Sequence, residues 1–406
     1  MKIISGGVCA AKGFTAAGIY SGIKKNKEKK DLALIKSSVK ANAAVVFTTN
    51  NVKAAHIGVS AKHISDGMAE AILCNSGNAN TCTTNGAEIA LNTCKLVGKS
   101  LHINASDVLV ASTGVIGQDL APQPFETGIP QLVSLLDDSE EASNSAASAI
   151  MTTDLVDKQY AVSFELAGKT CTIGAIAKGS GMICPNMATM LAFVTTDVAI
   201  SSEMLQKALS DDVQDSFNMV SVDGDTSTND TCIILANGLA GNPKIIEEGA
   251  DFDVFKEALA KVTIALSRMI AKDGEGATKL IACEVTGSVD KKSAAAIAKS
   301  VIKSSLVKTT ILGADANWGR VLCAIGYSDI DINPDKIDVA FASAAGKIMV
   351  CEGGAGVNFS EDLAKKILLE DEVEIKICLN VGTEKATAWG CDLTYEYVRI
   401  NGDYRS

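Results

Sequence analysis

Lys178-Gly-Ser-Gly-Met-Ile-Cys-Pro-Asn-Met-Ala-Thr-Met-Leu-Ala-Phe-Val-Thr-Thr-Asp197 is the richest stretch of the chain. Three turn formers, Gly179, Gly181 and Pro185, precede an apolar run that begins at Thr189 and has strand length. Taken alone it is a loop entering a buried strand, with Thr189 suited to it by β propensity.

Outward from this stretch, strand-like and helix-like patterns alternate. Residues 43–49, 71–75, 108–113 and 190–196 read as buried strands. Residues 159–166 and 170–177 flank Gly168-Lys169, a hairpin signal. Helical periodicity covers 86–102, with apolar Ile89, Leu91, Leu96 and Val97, and the alanine-rich 139–151. Ser201-Ser202-Glu203 opens a helix running to about Phe217. The clearest helix is 251–272, where Phe255, Ala258, Leu259, Val262, Leu266, Met269 and Ile270 share a face. Residues 290–304 follow, with Asp290 as N-cap and Ala294, Ile297, Ala298, Val301 and Ile302 as the buried stripe. The tail alternates 337–341, 347–350, a helix near 360–369, and 373–379. The expected fold is α/β, with mixed sheets and helices in layers.

The 406 residues carry 37 Lys+Arg against 48 Asp+Glu, a net charge of −11, which argues against general binding to nucleic acid or an anionic membrane. Aromatic residues are only 4%, too few for base-stacking platforms. No apolar run reaches the roughly 18 residues of a membrane-spanning helix. The opening residues 1–12, interrupted by Ser5, Gly6, Gly7 and Lys12, do not read as a signal peptide. Twelve scattered cysteines without a Cys-x-x-Cys pair suit a reducing, cytoplasmic setting. Neighbours such as Ile72-Leu73 beside Cys74 and Val321-Leu322 beside Cys323 suggest core filler. His56, His63 and His102 form no metal spacing. Gly98-Lys99-Ser100 and Gly168-Lys169-Thr170 lack the upstream glycine of a phosphate loop, since Thr93 and Ser163 stand there. Gly353-Gly354-Ala355-Gly356 is not a dinucleotide fingerprint, and no Gly-x-Ser-x-Gly elbow occurs.

Five further segments stand out: Ser112-Thr-Gly-Val-Ile-Gly117, Met151-Thr-Thr-Asp154, Val222-Asp-Gly-Asp-Thr-Ser-Thr-Asn-Asp-Thr231, Asn317-Trp-Gly-Arg320 and Asn401-Gly-Asp-Tyr-Arg-Ser406. Together with Met187-Ala-Thr-Met190 they resemble, over essentially the full chain, the glutamate N-acetyltransferase/ornithine acetyltransferase family of arginine biosynthesis. The chain departs from that family at Ser406, where threonine is usual, and at Gly402, where alanine is frequent.

The resemblance implies an N-terminal-nucleophile-like, self-cleaving fold. The chain would be cut between Ala188 and Thr189 into an α chain (1–188) and a β chain (189–406), assembled as an α₂β₂ heterotetramer. The reaction implied is acetyl transfer from N²-acetylornithine to glutamate through an acetyl-threonine, without cofactor or metal, and in many members with acetyl-CoA as a further donor. By the same resemblance Thr189 is the nucleophile, and Thr113 and Gly114 supply the oxyanion hole. Thr152, Lys178, Thr189, Glu275, Asn401 and Ser406 bind substrate, with Thr153 an alternative to Thr152. The chemistry is self-consistent. Cleavage frees the α-amine of Thr189, whose ordinary pKa of about 7.7–8.0 suits a general base. Nucleophile and base then share one residue, so no histidine partner is needed. Lys178 can pair with a substrate carboxylate or be a solvated loop lysine. Glu275 can face a substrate ammonium or be an exposed turn carboxylate. The acids Asp223, Asp225 and Asp230 read as a glycine turn with Asx hydrogen bonds rather than a metal site. An N-terminal-nucleophile hydrolase, with water replacing glutamate, and an uncut small-molecule binding protein are the competing readings.

Overall fold

The computed structural model describes residues 1–184 and 190–403. Thr189, Ala188 and Ser406 therefore lie outside the described residues. Two mixed β-sheets with helices against their faces form the α/β architecture expected. Among the described residues the first sheet has nine strands. Its central order is Lys158–Leu166, Lys169–Lys178, Leu191–Thr196, Thr231–Ala236, Leu32–Phe47, Met68–Asn78 and Val108–Val115. Leu32–Phe47 is 16 residues long and serves two partners along one edge: Phe14–Ile19 pairs with its first half, Thr231–Ala236 with its last six residues. The second sheet, with seven strands among the described residues, is built around Leu280–Ser288, Glu372–Cys378 and Glu384–Cys391.

Local chemistry explains the elements. Leu166 pairs with Lys169, which leaves a two-residue loop, Ala167-Gly168, with φ of +49° and +75°. Both values are those of a type I′ turn, whose twist matches antiparallel strands. Ser139, Ser201, Asp290 and Ser360 each cap a helix by accepting a backbone N–H three residues on. The helix Ala250–Lys272 packs on Lys158–Leu166 and Lys169–Lys178 of the first sheet and on Leu280–Ser288 and Glu384–Cys391 of the second. Its stripe is buried as expected, apart from Met269, which is half-buried. One apolar core thus runs between the sheets, while the alanine-rich helix Glu140–Ile150 closes the other face of the first sheet.

Some expectations need correction. Leu91 is 40% exposed and Leu96 only half-buried, because the buried face of the helix Gly86–Leu101 runs through Ile89, Ala90, Cys94 and Val97. Nine cysteines are buried, but Cys323 lies on the outer face of the helix Trp318–Gly326 and is exposed, as is Cys82. The strand expected over 108–113 runs on through Val115. Strands Phe14–Ile19, Thr231–Ala236, Leu280–Ser288 and Glu384–Cys391 add to those anticipated.

Phe255, fully buried on the helix between the sheets, marks the core that both sheets share. Phe255→Ala should lose about 3–5 kcal/mol of stability in denaturant titrations, whereas Leu91→Ala should stay within roughly 0.5 kcal/mol.

Candidate active site

Three loops meet at one end of the first sheet. The strand Lys169–Lys178 ends at Lys178, which pairs in register with Leu191, and Leu191 in turn with Thr231. Asp230, Met190 and Lys178 are thereby placed side by side at the rim. Val108–Val115 contributes Thr113 and Gly114. Gly114 has φ of +131°, and a Cβ there would sit 2.4 Å from the carbonyl carbon of Gly77. Only glycine permits this close pairing with the neighbouring strand. Asn229 ties the two regions together, its amide donating to the Ser112 carbonyl at 2.8 Å and to that of Ala79.

A cavity of about 330 Å³ lies between these elements. Thr113, Gly114, Thr152, Lys178, Glu275 and Asn401, the six expected site residues that are described, all line it. Met190, which is bonded to Thr189, is in its wall, and Thr153 lines it beside Thr152. Glu275 is 8% exposed, and Asn401 Nδ2 donates to its Oε2 at 2.7 Å. This excludes the exposed-turn reading of Glu275. Lys178 is the half-buried last residue of its strand, not a solvated loop lysine. Asn401 arrives on a C-terminal helix, Tyr395–Gly402, that has no buried residue of its own. That helix is held by polar contacts: Thr394 Oγ1 donates to the Gly276 carbonyl (2.6 Å) and the Tyr397 hydroxyl to Asp223 (3.3 Å).

The loops are fixed by buried charge. Lys158 Nζ lies 2.7 Å from Asp154 Oδ1 and 2.6 Å from Asp273 Oδ2, with Lys158 and Asp154 side chains fully out of solvent. Asp154 also accepts the N–H of Gly179 at 2.7 Å and of Thr152 at 3.0 Å. The Asp273 carboxylate accepts the Leu155 N–H at 3.1 Å, and its carbonyl accepts the Ser180 hydroxyl at 2.7 Å. Glu275 N–H donates to the Ser180 carbonyl at 2.9 Å. One charge cluster therefore joins the segments that present Thr152, Lys178 and Glu275. Burial acts to raise the Asp154 carboxyl, but the Lys158 and Lys178 charges and the hydrogen bonds outweigh it and bring its pKa to about 2.

Asp223 is a second anchor. Its carboxylate accepts the N–H groups of Met182 (2.6 Å) and Ile183 (2.8 Å). Met182 has φ of +55°, a left-handed conformation that costs a non-glycine residue about 1–2 kcal/mol. The Asx turn expected there exists, with Asp225 N–H on Asp223 Oδ1 at 3.3 Å. Burial raises the Asp223 carboxyl, and burial together with Asp223 raises the Tyr397 phenol. Asp230 lines the cavity, is 2% exposed and is pushed well up by burial, and its Oδ2 has no partner among the described residues. Lys158 and Asp273 were not singled out from the sequence. Their only signal is a lysine opening the alternating strand Lys158–Leu166 and an acid closing a long helix. No group of three or more His, Cys, Asp or Glu among the described residues is arranged to hold a metal.

Comparison with known proteins shows the family of the chain. A family model described as the ArgJ family matches residues 15–406. The chain is similar to arginine biosynthesis bifunctional protein ArgJ 1 of Clostridium acetobutylicum, at 52% identity over 97% of this chain and 96% of that one. It is 49% identical, over the full length of both, to arginine biosynthesis bifunctional protein ArgJ of Caldanaerobacter subterraneus. A crystal structure of arginine biosynthesis bifunctional protein argJ from Bacillus halodurans aligns with a TM-score of 0.51 and 47% identity, covering 53% of this chain and all of that one.

Two outcomes follow from the anchors. A Cβ at residue 181 would stand 2.3 Å from the Glu275 carboxylate. Gly181→Ala should displace that flexible side chain and raise substrate KM roughly tenfold, about 1.4 kcal/mol, with little change in thermal midpoint. Asp154, ionised below its ordinary range when folded, stabilises the fold above about pH 4 and loses this as pH falls toward 2. Acid titrations of Asp154→Asn should lack that part of the pH dependence.

Proposed function

Because the chain belongs to the ArgJ family, we propose that it transfers acetyl from N²-acetylornithine to glutamate through an acetyl ester on Thr189, and that acetyl-CoA serves as a further donor. The observation that carries this reading is the convergence of Thr113, Gly114, Thr152, Lys178, Glu275 and Asn401 on one cavity whose wall includes Met190.

The chain is cut between Ala188 and Thr189 into α (1–188) and β (189–406) chains. The Bacillus halodurans chain is in keeping with this division: its whole length is matched by 53% of this chain, close to the roughly 54% made up by residues 189–406 (218 of 406). The anchoring of Met182 and Ile183 by Asp223 steadies the approach to the bond that breaks. Before the cut, the Thr189 hydroxyl attacks the Ala188 carbonyl, and water opens the resulting ester. The freed α-amine then takes the hydroxyl proton as Thr189 attacks the acetyl carbonyl. The amine returns that proton to the departing ornithine nitrogen, and glutamate reverses the sequence. Thr113 and Gly114 face the oxyanion. Each such donor is typically worth about 2.7–4 kcal/mol to the transition state. Lys178 pairs with the α-carboxylate shared by donor and acceptor. Glu275, held by Asn401, faces the amine that distinguishes ornithine, and Thr152 and Ser406 supply neutral hydrogen bonds. No cofactor takes part. The two chains remain together, since Leu191–Thr196 and Thr231–Ala236, from after the cut, are flanked in the first sheet by Lys169–Lys178 and Leu32–Phe47, from before it; the assembly is an α₂β₂ heterotetramer in the cytoplasm.

Denaturing gels of wild-type protein should show two fragments, with the second reading Thr-Met-Leu-Ala-Phe, and light scattering should give roughly twice the chain mass. Thr189→Ala should stay one 42.1 kDa chain and be inactive. Initial rates should be ping-pong, and rapid quenching without glutamate should leave one acetyl on the Thr189 peptide. Thr113→Ala should lower kcat about 10²–10³-fold, and Lys178→Ala should mainly raise KM. Free acetate released without acceptor would favour a hydrolase. An uncut chain that binds the amino acids without turnover would favour a binding protein.

A further inference from the structure

Several buried carboxylates hold the structure together. Asp31 gathers the lysine-rich loop 24–30 by accepting the N–H groups of Ser21 (2.6 Å), Ile23 (2.8 Å) and Lys24 (3.0 Å). Asp154 accepts those of Gly179 and Thr152, and Asp392 those of Thr278 (2.8 Å) and Lys279 (3.0 Å). Asp230 departs from this pattern. It is 2% exposed and lines the catalytic cavity, yet no backbone N–H among the described residues donates to its carboxyl. Its Oδ2 has no hydrogen-bond partner among them at all. A polar atom stripped of water and left without a partner is destabilising, so it marks a group used for chemistry and not for folding.

The sheet sets where this carboxyl stands. The Thr231 N–H donates to the Met190 carbonyl at 3.0 Å, and Thr231 lies opposite Leu191 in the parallel register. Neighbouring strands run about 4.8 Å apart, so Asp230 sits beside Met190, and both are in the cavity wall. The nitrogen released by the proposed cut belongs to the residue bonded to Met190. The other charged groups in the described wall are Lys178 and Glu275. Glu275 is engaged by Asn401, while the Lys178 charge acts on Asp230 and favours its ionised form. The Ser227 hydroxyl faces the same carboxyl and adds a little in that direction. Burial outweighs both and holds Asp230 protonated well above the ordinary carboxylate range. In the uncut chain, then, the cavity contains a neutral acid with a proton to give.

We infer that Asp230 is a further catalytic residue, an acid that gives its proton to the Thr189 nitrogen during self-cleavage and afterwards serves as the carboxylate partner of the freed α-amine. The inference rests on the acetyl-transfer reading above and deepens it. In the cleavage step the bond from Thr189 Oγ to the Ala188 carbonyl carbon forms, and the bond from that carbon to the Thr189 nitrogen breaks. The departing nitrogen receives the Asp230 proton and the hydroxyl proton. A carboxylate is left beside an ammonium, and the new cation supplies the countercharge that burial had denied to Asp230. In turnover the carboxylate accepts an N–H of the amine and so orients its lone pair toward Oγ. It also stabilises the ammonium that re-forms as the amine takes the hydroxyl proton, the service a third group renders to the base of an activated nucleophile.

The test uses the full-length protein with Asp230→Asn and Asp230→Glu, following cleavage on denaturing gels and acetyl transfer from N²-acetylornithine to glutamate. Asp230→Asn should cleave itself about 10²-fold more slowly than wild type. Its cut fraction should have kcat lowered about 10²-fold, with KM for N²-acetylornithine within about twofold of wild type. The acid limb of its kcat profile should move to lower pH by about one unit, because no carboxylate then favours the ammonium. Asp230→Glu, which keeps the acid, should cleave faster than Asp230→Asn and retain the wild-type limb. Asp230→Asn cutting and turning over at the wild-type rate would overturn the assignment. So would a loss confined to KM, an acid limb left in place, or equal failure of both variants to cut, since shape and not the proton would then decide. A wild-type chain that stays uncut, or is cut but transfers no acetyl, would instead remove the reading on which the assignment rests.

Discussion

An ammonium group with no access to water has to be neutralised where it stands. Lys158 is such a group, and much of the site follows from how it is satisfied. Its two carboxylates come from opposite directions, Asp154 from the turn before its own strand and Asp273 from the end of the helix that joins the sheets. Removing one partner of a buried pair typically costs about 3–5 kcal/mol, because a charge is left uncompensated. The strand, turn and helix end are therefore held in one relative position. The carboxylate oxygens also collect backbone N–H groups of Thr152, Leu155 and Gly179. Fixing the charge thus fixes the groups that would meet substrate.

The same economy recurs elsewhere around the cavity. Asp223 holds Met182 in a conformation its side chain disfavours, and Asp31 gathers a loop of lysines whose mutual repulsion would otherwise spread it. In each case a buried or half-buried carboxylate accepts several backbone N–H groups, a charge-assisted arrangement stronger than neutral pairing. Scaffolding by these acids leaves the cavity wall to a lysine, threonines, two asparagines, the engaged Glu275 and the buried Asp230. It also accounts for an acidic chain carrying a site that receives anionic substrates.

Much of the fold is legible in the sequence because its elements are locally consistent. The type I′ turn at Ala167-Gly168, the Asp290 cap and the stripe from Phe255 to Ile270 each announce themselves within a few residues. The strands Leu280–Ser288 and Glu384–Cys391 are less visible. Both carry polar residues on the face away from the core, and the second begins Glu384-Lys385. The site residues were reached through resemblance, not through local pattern. Thr113, Lys178 and Glu275 are separated by about 60 to 100 residues of chain, and nothing in spacing alone makes them neighbours. What sequence could not convey is the scaffold behind them, because the partnership of Lys158 with Asp273 exists only after the helix has docked. The burial of Glu275 depends likewise on a C-terminal helix that brings no apolar stripe to advertise it.

The strand order has a consequence for the history of the molecule. Leu191–Thr196 lies between Lys169–Lys178 and Thr231–Ala236, and Leu32–Phe47 lies beyond the latter. Pieces from before and after residue 189 are thus woven through each other within a single sheet. While the chain is continuous, loop closure keeps each strand at high effective concentration beside its neighbour. With the proposed cut at Thr189, that tether would be gone while the weave remained. The mature particle would then hold a form it could no longer readily find. Its assembly instructions would belong to the uncut chain, and the denatured cut enzyme would return to two chains without a common thread.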